Sequence, residues 1–163
     1  MTQDEADIAA LAAALSARGE MLATAESCTG GMIAAACTDR AGSSDWFERG
    51  FVTYSNAAKS QMLGVDPALI AAHGAVSAEV AVAMATGALA QSAANWSVAV
   101  TGIAGPGGAT PGKPVGTVWI AIARNGSAAQ PELLQLIGDR AAIRAQTVSH
   151  AVRRLVEEIG RRA

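Results

Sequence analysis

Histidine occurs only twice in this chain, at His73 and His150, and cysteine only twice, at Cys28 and Cys37. Neither histidine has a cysteine or carboxylate at metal-ligand spacing, so the sequence predicts no metal and no cofactor. The same scarcity weakens a Ser–His–Asp triad. Both histidines read as structural, His73 before Gly74 at a helix end and His150 within a helix. Two cysteines are too few for a disulfide-stapled secreted domain. A dominant charge is missing too. Lys+Arg total 12 against 14 Asp+Glu, a net charge of -2, which gives no field for a nucleic-acid backbone. The arginines near the C-terminus are interleaved with acids and apolar residues, the pattern of a solvated helix face. The longest apolar run, Ile8 to Leu15, is far too short to span a bilayer. The opening "MTQDEADIAA" is acidic, so no signal peptide is expected and the glycosylation-like "NWS" and "NGS" are chance matches. These absences predict a cytoplasmic globular chain with neither nucleic acid nor membrane as partner.

Hydrophobic residues make up 51% but aromatics only 4%, so the core must be built from Ala, Val, Leu and Ile. A length of 163 residues suits a single domain over 1–163. Ile8, Leu11, Ala12 and Leu15 recur at helical spacing and Gly19 supplies a stop, which predicts a helix from Gln3 to Arg18. "MLATAE" reads as a strand, "MIAAACTD" as a helix and "RGFVTYS" as a strand. Asn56 can cap a short helix to Leu63, and "DPALIAAH" is another with Pro67 in its first turn. Ser77 caps a helix to about Gln91, with Val80, Met84 and Leu89 near one face. "WSVAVTGIAG" is a strand entering a glycine-rich loop, "GTVWIAIAR" and "ELLQLIG" are strands separated by the turn signal "NGS", and a helix runs from near Asp139 to Arg161. Val148, Val152, Leu155, Val156 and Ile159 form its apolar stripe. Alternating strands and helices followed by two consecutive strands predict a mixed sheet covered by helices on both faces.

Three stretches could carry chemistry. In "GGATPGKP", Gly107, Gly112 and Lys113 have the G-x-x-x-x-G-K spacing of a phosphate loop. Pro114 stands where the magnesium-binding hydroxyl belongs, and a strand rather than a helix follows, so the nucleoside-triphosphate reading fails. In "TGIAGPGG" the glycines miss the dinucleotide fingerprint. The loop is either a wide turn or a place where backbone amides approach a ligand. In "TAESCTGG" a strand ends at Glu26 and a helix begins near Gly30 or Gly31. Ser27 or Thr29 is then a helix cap, or Ser27 is a nucleophile with helix-mouth amides ready for an oxyanion. Cys28 is a rival nucleophile or buried packing. A serine nucleophile needs a base, and without a usable histidine a neutral lysine remains. "YSNAAKS" puts Lys59 in the first turn of a helix, where burial and the helix N-terminus both disfavour its charge, with Tyr54 just upstream as a proton relay. An exposed helix lysine is the bland alternative.

Together "TAESCTGG", "RGFVTYSNAAKSQMLGV", "GAVSAEVAVAMA", "VAVTGIAGPGG", "KPVGTVWIAIA" and "GDRAAIRAQT" resemble the CinA C-terminal domain family over nearly the whole chain. The resemblance implies an α/β fold, a three-layer α/β/α sandwich. It also implies hydrolysis of the carboxamide of nicotinamide mononucleotide to nicotinate mononucleotide and ammonia, in pyridine nucleotide salvage. The family's serine, tyrosine and lysine fall on Ser27, Tyr54 and Lys59. Candidate substrate-binding residues are Thr29, Gly30, Gly31, Asn56, Thr101, Gly102, Gly105, Gly107 and Arg140, the last facing the phosphate. The family suggests a homo-oligomer. Many members carry a large N-terminal domain that this chain lacks, so it resembles the stand-alone form. The alternative is a non-catalytic nucleotide-binding or regulatory module using the same glycine loops.

Overall fold

The parallel half of the sheet decides where everything else lies. In the computed structural model, which describes residues 1–162, α1 (Gln3–Arg18) leads into β1 (Leu22–Glu26), then α2 (Met32–Thr38) and β2 (Phe47–Val52). Next come α3 (Asn56–Leu63), α4 (Pro67–His73) and α5 (Ala78–Ala90). The chain closes with β3 (Trp96–Gly102), β4 (Thr117–Arg124), β5 (Gln130–Gln135) and α6 (Arg140–Arg161). The strand order is β2-β1-β3-β4-β5. β1 is parallel to both β2 and β3, whereas β3, β4 and β5 pair antiparallel. The α/β sandwich with a mixed sheet predicted from the sequence is therefore the observed fold.

Strand alternation sorts the side chains by size. Val98, Val100, Ile120 and Ile122 face one side and join Leu11 and Leu15 of α1, Ile33 and Cys37 of α2, and Ile143, Val152, Leu155 and Ile159 of α6. Ala25, Ala99, Ala121 and Ala123 face the other side, under Val80, Met84 and Ala85 of α5, Leu63 of α3 and Ile70 of α4. These small strand residues let α5 lie close to the sheet, and Ser97 Oγ donates to the carbonyl of Ala85 at 2.7 Å. The aliphatic core predicted from composition is present on both faces, but Trp46 and Trp96 are buried in the one that packs against α1, α2 and α6.

The local signals also act as their chemistry requires. Thr2 and Glu5 form a reciprocal capping box on α1, and Gly19 ends it with φ 63. Ser77 caps α5 and Asp139 caps α6. Several expectations shift. The cap of α3 is Ser55, whose hydroxyl accepts from the amide of Ala58, so Asn56 is the first helical residue rather than the cap. β2 spans Phe47–Val52 rather than the "RGFVTYS" segment, which leaves Tyr54 beyond the strand end. β5 ends at Gln135, before "LIG". On α6, Val156 is only partly buried while Val148, Val152, Leu155 and Ile159 are buried. Among the described residues no helix is long and apolar enough to cross a membrane.

The close approach of α3 to α5 is testable. A Cβ on Gly87 of α5 would meet the carbonyl oxygen of Leu63 at 1.9 Å, whereas one on Gly160 of α6 would meet nothing within 4 Å. Gly87→Ala is expected to lower unfolding free energy by about 1–3 kcal/mol. Gly160→Ala is expected to leave it unchanged or raise it by up to about 1 kcal/mol. Urea titrations of both variants check the contrast. Equal stability would mean that α3 and α5 are not held at this spacing.

Candidate active site

The carboxyl ends of β1, β2 and β3 come together at one edge of the sheet, where parallel α/β folds place their ligands. The backbone is pinned there on both sides of β1. The Thr53 amide donates to the Glu26 carbonyl at 2.9 Å, and the Ser27 amide donates to the Val100 carbonyl at 3.1 Å. Alternation then turns the Glu26 side chain toward α2 and Ser27 toward α3.

From α3, Lys59 reaches back under this edge. It is 1% exposed, and its Nζ lies 3.1 Å from Ser27 Oγ, 3.1 Å from the Thr53 carbonyl and 3.1 Å from the Tyr54 carbonyl. No carboxylate is among those partners. Burial holds the Lys59 amine below the ordinary lysine range. A neutral amine fits the three contacts well. Nζ is placed to donate to all three oxygens, and in its neutral form it can keep the two carbonyls as acceptors and accept from the Ser27 hydroxyl. The sequence reading credited the helix N-terminus with part of this effect. Lys59 is the fourth residue of α3 and its amide already donates to Ser55, so burial is the leading cause.

Ser27 and Lys59 open onto a cavity of about 250 Å³. Tyr54, Asn56, Thr101, Gly102, Gly105, Gly107 and Arg140, all anticipated from the sequence, line it. Thr101 donates from Oγ1 to the Ala75 carbonyl at 2.9 Å, which ties the end of β3 to the segment before α5. Arg140, at the start of α6, donates to the Gly105 carbonyl at 2.8 Å and to the Tyr54 phenol oxygen at 3.0 Å. The Tyr54 side chain is 59% exposed at the cavity mouth. Cys28 also lines the cavity, but burial pushes its thiol up to about 11, so it stays protonated near neutral pH. Two wider grooves, about 550 and 560 Å³, lie elsewhere. The charges of the first are largely spent on one another, Arg154 on Glu132 and Glu158, and Arg161 on Glu158. Among the described residues no three His, Cys, Asp or Glu side chains gather at metal-binding range.

Three anticipated residues sit elsewhere. Thr29 is wholly buried and donates to Glu26 Oε1 at 2.6 Å. Gly30 and Gly31 turn the chain into α2 with φ 58 and 107, and a Cβ on Gly31 would meet Val52. The mouth of α2 is not free to hold an oxyanion. The Ile33 and Ala34 amides donate to Glu26 at 2.8 and 3.0 Å. Sequence reasoning missed Glu26 and also Arg144, which donates from α6 to the Cys28 and Thr29 carbonyls at 3.1 and 3.3 Å. The available signal for Glu26 was an acid ending a buried strand just before a helix start with no side-chain cap.

A three-layer α/β/α fold with a buried serine–lysine contact at the strand ends defines the class of protein. The chain belongs to the CinA C-terminal domain family, which its residues 5–159 match. It is 52% identical over 145 residues to nicotinamide-nucleotide amidohydrolase PncC of Escherichia coli, covering 89% of this chain and 88% of that protein. It is 54% identical to a CinA-like protein of Mycolicibacterium vanbaalenii, covering 82% of this chain and 32% of that longer protein. The crystal structure of competence/damage inducible protein CihA from Agrobacterium tumefaciens superposes with a TM-score of 0.93 at 44% identity, over 96% of each chain.

Burial of Lys59 has a stability consequence whose sign is fixed. A lysine with a lowered folded value binds fewer protons when folded than when unfolded, between that value and the unfolded value of about 10.4. Stability therefore rises with pH through that window. The stability of the wild type relative to Lys59→Met is expected to fall as pH is lowered from about 10 toward neutrality. Paired urea titrations across that range check this, and a flat difference would show that Lys59 keeps an ordinary affinity for its proton.

Proposed function

We propose that this protein is an amidohydrolase that cleaves the carboxamide of nicotinamide mononucleotide, with Ser27 as nucleophile and Lys59 as its base. The observation that carries the chemistry is the 3.1 Å contact between Ser27 Oγ and the buried Lys59 amine. The substrate class follows the activity named for the E. coli relative and the presence of a guanidinium at the cavity.

In this reading Ser27 Oγ attacks the carboxamide carbon as its proton passes to Lys59 Nζ. The tetrahedral intermediate collapses when the C–N bond breaks and the same proton goes to the departing nitrogen, with Tyr54 relaying it at the mouth. Ammonia leaves and an acyl-Ser27 ester remains. Water then attacks the ester, gives its proton to Lys59, and the carboxylate product departs as Ser27 recovers its own proton. The developing oxyanion falls to the Cys28 amide, which closes no turn and belongs to a residue lining the cavity, because α2's mouth is occupied by Glu26. Arg140 spends two donors on Gly105 and Tyr54 and keeps others for a phosphate. Lys59 and Ser27 supply the proton transfers and the nucleophile, so no metal step is needed. A cytoplasmic setting and a nucleotide as the small-molecule partner complete the reading.

Ammonia release from nicotinamide mononucleotide is the direct test. Wild type is expected to be active, and dialysis against a strong chelator should leave the rate unchanged. Ser27→Ala and Lys59→Ala should each lose about 10²–10⁴-fold or more in kcat. Lys59→Arg should be as damaging as Lys59→Ala, because guanidinium stays charged and cannot take the proton. Near-normal turnover by Lys59→Arg would remove Lys59 as base. Arg140→Ala should raise KM for the nucleotide about tenfold or more while leaving the unphosphorylated nucleoside unaffected. Binding of the nucleotide without ammonia release would favour the regulatory module instead.

A further inference from the structure

Glu26 is a buried carboxylate with no cation beside it. It is 1% exposed, and its partners are the Thr29 hydroxyl at 2.6 Å, the Ile33 amide at 2.8 Å and the Ala34 amide at 3.0 Å. All three follow it within eight residues, on the turn that carries Ser27 and in the first turn of α2. Gly31, at the N-cap of α2, has no side chain to bond those amides. Glu26 caps the helix from outside, from the end of the neighbouring strand. Its oxygens accept from the Thr29 hydroxyl and from two amides at the start of α2, which satisfies a carboxyl group at this depth. Its main chain is fixed as well, by the Thr53 amide on one side and through Ser27 and Val100 on the other.

The turn from Ser27 to Gly31 is therefore held from two faces. On one, Glu26 ties it to α2. On the other, Ser27 Oγ meets Lys59 Nζ at 3.1 Å. Two glycines with positive φ give the turn no stiffness of its own. Arg144 also bonds the turn, but only through the Cys28 and Thr29 carbonyls and at longer range. We propose that Glu26, with Thr29, is a positioning residue for the nucleophile: its carboxylate locks the turn onto α2 so that the Ser27 hydroxyl stays within reach of the Lys59 amine. This rests on the Ser27–Lys59 reading and assigns Glu26 no contact with substrate.

The test uses Glu26→Gln, Thr29→Val and Thr29→Ser in the full chain. Glutamine is nearly isosteric but puts an NH₂ donor where an acceptor is needed. Valine keeps the shape of threonine and removes its donor, whereas serine restores the donor. Assays are run well below each unfolding midpoint and normalised to folded protein. Glu26→Gln is expected to lose about 10–100-fold in kcat with KM within about threefold, since a small misplacement of a reacting group has that effect. Thr29→Val should lose kcat in the same manner and Thr29→Ser should recover it. Folded Glu26→Gln with wild-type kcat, or equal rates for Thr29→Val and Thr29→Ser, would overturn the proposal. If Glu26→Gln yields no folded protein, the Thr29 pair decides on the same terms. If the wild type releases no ammonia, the substrate reading fails, and the same variants are compared by the rate at which a fluorophosphonate phosphonylates Ser27 with loss of fluoride. Phosphonylation as fast in the variants as in the wild type then overturns positioning alone. A wild-type Ser27 inert to both reagents overturns the Ser27–Lys59 reading and the positioning role with it.

Discussion

An amine buried without a counter-ion is the constraint on which the rest of this structure depends. Among the described residues, Lys59 Nζ has two carbonyls and one hydroxyl as its hydrogen-bond partners. Leaving such a group charged and dry would be costly, and carbonyl dipoles compensate a cation less fully than a carboxylate does. Burial therefore weakens the hold of Lys59 on its proton. Keeping the amine there requires that α3 stay where it is. The Leu63 carbonyl sits so close to Gly87 that no side chain fits between, which fixes α3 against α5. The two carbonyls come from the residues just past β2, so the sheet itself sets where the amine's N–H groups go.

The size sorting of the sheet serves the same end. Alanines on β1, β3 and β4 let α5 settle close to the strands, while valines and isoleucines on the opposite face hold α1 and α6 further out. α6 is long enough to cross that face and present Arg140 and Arg144 at the strand ends. One arginine reaches the cavity mouth and the other braces the turn behind it. The antiparallel strands β4 and β5 contribute little directly to the cavity. Their part is to carry the chain back so that α6 starts beside the glycine loop, where Arg140 bonds Gly105.

Much of this was legible in the sequence. Helical periodicity and end signals gave the helices: α1 shows an apolar repeat closed by Gly19, α5 one opened by Ser77, and α6 one that begins at Asp139. The proximity of Ser27, Tyr54 and Lys59 was also inferred, from a serine at a strand end and a lysine in a first helical turn. What failed has common physical causes. Ser55 and Asn56 are both good caps, and local sequence cannot rank neighbours of equal chemistry. Strand ends depend on which partner continues the ladder, so β2 stops at Val52 where β1 stops at Glu26. Thr29, Gly30 and Gly31 were assigned to the substrate because a glycine pair at a helix mouth usually leaves amides free. Here the Glu26 carboxylate takes the amides seven and eight residues further on, and its only local signal is an acid ending a buried strand before a helix start that has no side-chain cap.

The neighbouring Ser27 and Cys28 show how geometry outranks intrinsic reactivity. A thiol is the better nucleophile in solution, but only as thiolate. Burial raises Cys28 to about 11, and its nearest formal charges, Glu26 raising the value and Arg144 and Lys59 lowering it, do not undo that. Ser27 is the poorer nucleophile, yet it has what the cysteine lacks, a buried amine 3.1 Å from its hydroxyl oxygen. The alternation of β1 produces this difference. It sends Glu26 to α2 and Ser27 to α3, and the chain turns away at the next residue. Under the proposed chemistry, the residue on the α3 face is the one that can be activated, whichever of the two side chains would react faster in water.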